Sequence, residues 1–110
     1  MKTDFSTAIE NIKAATLAGE GATDPALRQA VADYAKNATP TLVPYDGRIP
    51  GNLMPYVNKV SQHAYKITDK DVELLKEHNY SEDEIFETTL AAAFGAGLAR
   101  LQNGLALLEE

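Results

Sequence analysis

The residues between Ser81 and Leu101 constrain the fold of this chain more than any other segment. Ser81 and Glu84 form the pair of a capping box, which marks the N-terminus of a helix, and the acidic residues around them complement the positive end of the helix dipole. Small residues dominate the middle, AAAFGAG at 91–97. Glycine inside a helix costs about 1 kcal/mol relative to alanine. Gly95 and Gly97 therefore predict close approach of another helix backbone, and Gly97→Leu is expected to overpack. The alternative, a backbone exposed for a ligand, is the rarer use of such glycines.

The same helix is predicted to carry one long apolar stripe at helical spacing. Its members are Ile85, Phe86, Leu90, Ala93, Phe94, Gly97, Leu98, Leu101, Leu105 and Leu108. From end to end this stripe is about 35 Å long at 1.5 Å per residue. Four other short helices in so small a domain do not need to cover that length. The excess apolar surface predicts a homo-oligomer.

The rest of the chain shows further helical spacing and no convincing strand. A first helix is predicted over about 5–17, a second from Pro25 to about Asn37, and a third over about 53–67. A second capping box, Thr68 with Asp71, starts a fourth helix that runs to His78. The fold class is therefore predicted to be all-α, a compact bundle of about five helices in a single domain over residues 1–110.

The segment 39–51 interrupts this helical pattern. Four of the five prolines lie between Pro40 and Pro55, and the pair DG at 46–47 marks a turn. Because the segment is also apolar, it is predicted to pack onto the domain. It could line a ligand pocket or hold a neighbouring subunit, although a loop that only covers the core is the favoured interpretation.

Composition excludes several classes of function. The 110 residues carry a net charge of −6 and no cysteine, so disulfides, thiolate nucleophiles and cysteine-ligated metals are excluded. Lysine and arginine are scattered and form no basic face, which predicts no nucleic-acid partner. No apolar run has the length of a membrane span and no signal peptide is visible, so neither a membrane partner nor export is expected and a cytoplasmic protein is the default.

Residues 55–108 resemble the alkylhydroperoxidase D-like, or carboxymuconolactone decarboxylase-like, superfamily. The resemblance rests on YSEDEIFE at 80–87, on the run AAAFGAG at 91–97, and on Arg100 with Leu101. It implies an all-α fold of the alkylhydroperoxidase D-like type and a tendency to form homo-oligomers. The first half of the chain is compatible with this superfamily without being diagnostic of it.

Members of this superfamily with peroxidase activity carry a Cys-x-x-Cys-x-x-x-His motif on the preceding helix, with an upstream carboxylate. The motif positions here fall on Ala64, Ile67 and Asp71, or one residue later on Tyr65, Thr68 and Val72. Neither register supplies a thiol or the histidine, and residues 47–68 contain no carboxylate. Thiol-based peroxide chemistry is therefore excluded. The decarboxylase branch works without cysteines, so the resemblance leaves an enzyme possible.

His63 is the candidate for acid–base chemistry, because its intrinsic pKa lies near neutrality and it falls on a predicted interior face. A satisfied core histidine is nevertheless the favoured interpretation. The residues that could bind a small organic acid are Tyr45, Arg48, Tyr56, Tyr65 and Arg100. For Arg100 a structural pair with a carboxylate such as Glu87 is favoured. The spacing of His63 and His78 fits no metal site, and no cofactor is expected.

Two functions follow as hypotheses. The first is a non-redox member of the superfamily, an oligomeric helical protein that binds a small molecule without turnover. The alternative is a cofactor-free lyase or decarboxylase, acting on a small organic acid or lactone with His63 as acid or base. An open cavity that joins His63 to Arg48 or to a tyrosine would favour the alternative.

Overall fold

The structure, a computed structural model, describes residues 3–37 and 47–108, and every regular element among them is helical. A π-helical turn at Ala14–Ala18 extends the first helix, and a 3₁₀ turn at Ala64–Lys66 follows the third. The five α-helices are α1 at Thr3–Lys13, α2 at Pro25–Asn37, α3 at Met54–His63, α4 at Asp69–Glu77 and α5 at Glu82–Leu108. The predicted all-α fold with about five helices is confirmed.

The starts of α2, α4 and α5 lie where the local signals predict them, whereas α1 and α3 end as regular α-helices before the predicted positions, at Lys13 and His63. The Asp24 carboxylate accepts a hydrogen bond from the Ala26 amide at 2.9 Å and so caps α2. At the start of α5 the Ser81 amide donates to Glu84 Oε1 at 2.8 Å, and the Glu84 amide donates to Ser81 Oγ at 3.1 Å. Both halves of this capping box are therefore made.

The turn between α4 and α5 is closed by a left-handed residue. Asn79 has a φ of 71°, the conformation that commonly ends a helix. The Asn79 amide donates to the Lys76 carbonyl at 2.9 Å, and the Tyr80 amide donates to the Leu75 carbonyl at 3.1 Å. These two bonds satisfy the last carbonyls of α4 and fix the direction in which α5 begins.

The core forms where α2 packs on α5 and where α3 covers their other side. The residues of α5 that are buried there are Ile85, Thr88, Ala91, Ala92, Gly95 and Ala96. Gly95 marks the closest approach, because a β-carbon added to it would lie 2.9 Å from the Ala32 carbonyl carbon and 3.0 Å from the Ala32 α-carbon. The predicted helix contact at Gly95 is confirmed.

The prediction that the apolar stripe of α5 is its buried face is wrong. Of its ten members only Ile85 is buried, whereas Phe86 is 65% exposed and Leu90 is 43% exposed. A β-carbon added to Gly97 would meet nothing within 4 Å, so the predicted contact there, and the expected overpacking by Gly97→Leu, are wrong for the protomer. The reason is geometric. Small residues allow shorter distances between helix axes, so the small face of α5 turns inward.

The end of the proline-rich segment reaches the core. Ile49 is fully buried, as is Leu53 just after the segment, whereas the other described residues of segment 39–51 are exposed. The predicted packing onto the domain is therefore confirmed for Ile49. Residues 38–46, which include Tyr45, lie outside the described residues. Although α5 is 27 residues long, neither it nor any other helix in the described part of the chain is long and apolar enough to cross a lipid bilayer.

Candidate functional site

A cavity of about 210 Å³ lies between α3 and α4. The residues from α3 and the turn before it recur every three or four positions, so they share one face of that helix. Residues of α4 at the same kind of spacing form the opposite wall. The lining residues are Asn52, Pro55, Tyr56, Lys59, Asp71, Leu74 and Leu75. We refer to this site as the α3–α4 cleft.

An ion pair forms the polar part of the cleft. Lys59 Nζ lies 3.1 Å from Asp71 Oδ1 and 3.0 Å from Asp71 Oδ2. Asp71 Oδ2 also accepts a 2.8 Å hydrogen bond from the Thr68 amide. This bond, from the amide of the N-cap residue to the side chain of the third helical residue, belongs to the capping box of α4. The Thr68 amide and then the Lys59 ammonium hold the pKa of Asp71 below its usual value. Two of the three hydrogens of the Lys59 ammonium are thereby engaged, and the third can reach water or a ligand.

Tyr56 supplies the aromatic wall of the cleft. Its hydroxyl oxygen lies 2.6 Å from Thr89 Oγ1 on α5. Because the Thr89 hydroxyl donates to the Ile85 carbonyl at 2.7 Å, Tyr56 is the donor in this bond. The hydroxyl is committed to the interface with α5, and the ring is what a bound molecule would contact.

Tyr80 holds Asn52, one of the residues that line the cleft. Its hydroxyl donates to Asn52 Oδ1 at 2.7 Å, which ties the residues before α3 to those before α5. Burial, and then the negative charge of Glu84, raise the pKa of Tyr80. The phenol therefore stays protonated at neutral pH and acts as a fixed donor.

His63 does not face the interior, and that prediction is wrong. Its side chain is exposed, and its ring packs edge-to-face on the ring of Tyr65 with 6.1 Å between centroids. Tyr65 is itself 81% exposed, and Lys66 Nζ lies 5.8 Å from its ring centroid. The α-helical hydrogen-bonding pattern ends at His63 and a 3₁₀ turn follows, so these residues leave the stripe that α3 buries.

The predicted ligand-binding residues that fall within the described ranges do not form one site. Tyr56 lines the α3–α4 cleft, whereas Tyr65 lies on the surface. The Arg48 guanidinium lies 3.7 Å from the Asp33 carboxylate with both side chains largely exposed. Arg100 donates to the Ser61 carbonyl at 3.2 Å. Within the protomer the predicted pairing of Arg100 with Glu87 is wrong, because Glu87 faces Arg28 instead.

Arg28 is a buried charged residue that the sequence motifs do not single out. It is only 3% exposed, and its guanidinium donates to the Thr16 carbonyl at 3.1 Å and also to the Gly19 carbonyl. Its Nε is buried without a hydrogen-bond partner and lies 3.9 Å from Glu87 Oε1. The only signal in the sequence is an arginine on a helix face otherwise occupied by small and branched apolar residues.

Glu87 completes this network from α5. Its carboxylate accepts hydrogen bonds from the Ala22 amide at 2.7 Å and from the Thr23 amide at 2.8 Å. Burial alone would raise the pKa of Glu87, but the Thr23 hydroxyl, the two amides and the Arg28 charge outweigh it and lower that pKa. The buried pair joins the loop after α1 to α2 and α5. We interpret it as part of the framework, because its polar groups are turned toward one another.

Two further features of the described residues bear on the choice of site. A second cavity of about 40 Å³, beside Phe94 and Gly95, holds little more than a water molecule. Among the described residues, no three histidine, aspartate or glutamate side chains are grouped as metal ligands would be. Neither cavity has His63 in its lining. The α3–α4 cleft is therefore the best candidate site.

Comparisons with known proteins assign no family to this chain. No model of a protein family, no curated protein and no solved structure matches it. The superfamily resemblance rests on the sequence features alone.

Proposed function

We propose that this protein is a homo-oligomeric, non-redox member of the carboxymuconolactone decarboxylase-like superfamily that binds a small organic acid in the α3–α4 cleft without turnover. A cytoplasmic location is part of the same proposal. The observation that supports ligand binding is the Lys59 ammonium, which Asp71 holds in place beside a cavity with mainly apolar walls. A few convergent polar groups in an apolar cleft are typical of small-molecule sites.

The size of the cavity limits the ligand to a small molecule. Sites for drug-sized ligands measure about 300–1,000 Å³. A cavity of about 150 Å³ in another protein is large enough for benzene. At about 210 Å³, the cleft has room for a single ring or a short branched chain with one polar substituent.

The polar groups favour a ligand that accepts hydrogen bonds. Asp71 Oδ2 already accepts from both the Thr68 amide and Lys59, whereas one hydrogen of the Lys59 ammonium is still available. A carboxylate can take that hydrogen while its hydrocarbon part contacts Pro55, Leu74 and the Tyr56 ring. A charge-assisted hydrogen bond of this kind is roughly twice as strong as a neutral one.

Calorimetric titration with three probes of equal size tests the ligand class. We expect benzoate to bind more tightly than benzamide, and benzylamine to bind most weakly, because only the first brings a charge opposite to that of Lys59. Tighter binding of benzylamine would show that Asp71 determines the selectivity and would overturn the organic-acid proposal. No heat from any probe at millimolar concentration would exclude the cleft as a site for single-ring ligands.

Lys59→Met is expected to weaken benzoate binding at least tenfold, since it removes the ammonium donor and keeps an unbranched apolar chain as long as the aliphatic part of lysine. Asp71 would then be unpaired, so the same variant should bind benzylamine more tightly than the wild type does. Lys66→Met is the matched control, because Lys66 contacts the exposed Tyr65 ring and lies outside the cleft. Equal benzoate affinity in all three proteins would contradict the assignment of Lys59.

The lyase alternative has less support. His63 is exposed and lines neither cavity, so a substrate in the α3–α4 cleft would not have this imidazole among its wall residues. Acid–base catalysis requires a group within hydrogen-bond reach of the reacting proton. Binding without turnover is the function that this geometry supports better.

Light scattering after gel filtration tests the oligomeric part of the proposal. At a concentration of tens of micromolar we expect at least twice the 11.9 kDa mass of one chain. Support comes from α5, where Phe86, Leu101 and Leu108 leave 39–75% of their surface exposed in the protomer. A mass of one chain would remove assembly from the proposal and leave ligand binding to be judged separately.

A further inference from the structure

One face of α5 forms a continuous exposed apolar strip, which we call the outer stripe. Successive members are three or four residues apart, so they lie along one side of the helix. At 1.5 Å per residue the stripe is about 33 Å long. It contains no charged residue, and every member is exposed: Phe86, Leu90, Ala93, Gly97, Leu101, Gly104 and Leu108.

Two copies of this stripe fit each other in size when one copy runs antiparallel to the other. If two copies cross antiparallel about Gly97, Leu90 lies opposite Gly104 of the other copy and Ala93 lies opposite its Leu101. Large residues then meet small ones, and Phe86 meets Leu108 at each end. A parallel pair would instead set leucine on leucine and glycine on glycine, which leaves gaps at the centre. Packed cores do not tolerate such gaps well.

We propose that a second copy of this chain docks on the outer stripe, with the α5 helices antiparallel and a two-fold axis at Gly97. This inference rests on the oligomeric part of the proposed function and specifies its interface. A two-fold interface must use the same patch on both partners, and a stripe that is complementary to itself meets that condition. Open space around Gly97, where an added β-carbon meets nothing within 4 Å, lets the two backbones approach.

The area of the stripe predicts how tight this dimer is. A strip about 33 Å long and about 10 Å wide covers roughly 330 Å² in projection, comparable with the largest apolar patches on ordinary monomers. A standard interface buries about 800 Å² per partner. The stripe by itself therefore supplies less than half of a standard interface, which predicts a weak contact. We expect a reversible dimer that dissociates in the micromolar range.

Cross-linking with single cysteines tests the geometry, because the chain has no cysteine of its own. Under mild oxidation Gly97→Cys should form a disulfide-linked dimer. Gln102→Cys, on the opposite and also exposed side of α5, should not. A mixture of Leu90→Cys and Gly104→Cys should give the mixed disulfide, whereas Leu90→Cys alone should stay monomeric on a non-reducing gel. Cross-linking of Leu90→Cys with itself and not with Gly104→Cys would overturn the antiparallel arrangement.

The variant Gly97→Glu tests whether the outer stripe is the interface, separately from whether the protein forms an oligomer at all. The protomer should keep its helical circular dichroism, since the new side chain meets open space, and its mass should fall to that of one chain because two like charges would meet at the axis. An unchanged oligomer would place the interface elsewhere and overturn the inference while the oligomer proposal stands. A monomeric wild type would overturn both. The cysteine experiment gives its result even if Gly97→Glu does not fold.

Discussion

Gly95→Ala is expected to lower the free energy of unfolding by about 2 kcal/mol. The added methyl group would overlap the backbone carbonyl of Ala32, and a backbone group cannot rotate away as a side chain can. Overpacking costs about 1–3 kcal/mol, occasionally more, which outweighs the gain of about 1 kcal/mol in helix propensity. Urea melts at submicromolar concentration measure this loss in the protomer.

Gly97→Ala is the matched control two residues along the same helix. An alanine there meets nothing within 4 Å, so only the gain in helix propensity acts and the free energy of unfolding should rise by about 1 kcal/mol. The two alanine variants should therefore differ by about 3 kcal/mol. Equal stabilities would mean that α2 and α5 do not approach each other at Gly95.

Glu87→Gln is expected to cost about 3 kcal/mol, because it leaves the buried Arg28 guanidinium without a negative partner. The amide of glutamine can accept one of the hydrogen bonds from Ala22 and Thr23, but its NH₂ group also faces donors. Glu82→Gln is the control. Glu82 lies 3.4 Å from Lys76 with both side chains exposed, so its loss should change stability by less than about 1 kcal/mol.

The contribution of Glu87 should also depend on pH. Its pKa in the folded protein is lower than the usual value of about 4.5, so the folded state holds this proton less tightly than the unfolded state does. The stabilisation is complete above pH 4.5 and is lost as the pH falls through the folded-state pKa. The difference in stability between wild type and Glu87→Gln should therefore shrink in acid. A difference that stays constant from pH 7 to pH 3 would contradict this role.

Local signals in the sequence were enough to predict where α2, α4 and α5 begin and where α4 ends. Capping boxes and Asn79 act through bonds between residues a few positions apart, and the hydrogen bonds at Ser81 and Glu84 form as predicted. The buried face of α5 could not be predicted in the same way. Helical periodicity gives α5 one face of large apolar residues and one face of small residues. Hydrophobicity alone predicts that the face of large residues is the buried one. Close packing against Ala32 favours the face of small residues.

Contacts between distant residues account for the remaining differences. Arg28 and Glu87 are 59 positions apart in the sequence, and no local pattern pairs them. Lys59 and Asp71 meet only because the chain turns between α3 and α4, so Asp71 could be predicted as a helix cap but not as a wall of the cleft. His63 lies off the predicted interior face because α3 ends there and a 3₁₀ turn follows. The spacing of apolar residues does not reveal this end.

The most direct test of the proposed function is a benzoate titration followed by amide nuclear magnetic resonance shifts. The account predicts saturable shifts that are largest for Lys59, Asp71 and Leu75, the residues that line the α3–α4 cleft. The same shifts should disappear in Lys59→Met and persist in Lys66→Met. Shifts centred on His63 and Tyr65, or no saturable shifts at millimolar benzoate, would contradict the assignment of the cleft as the binding site.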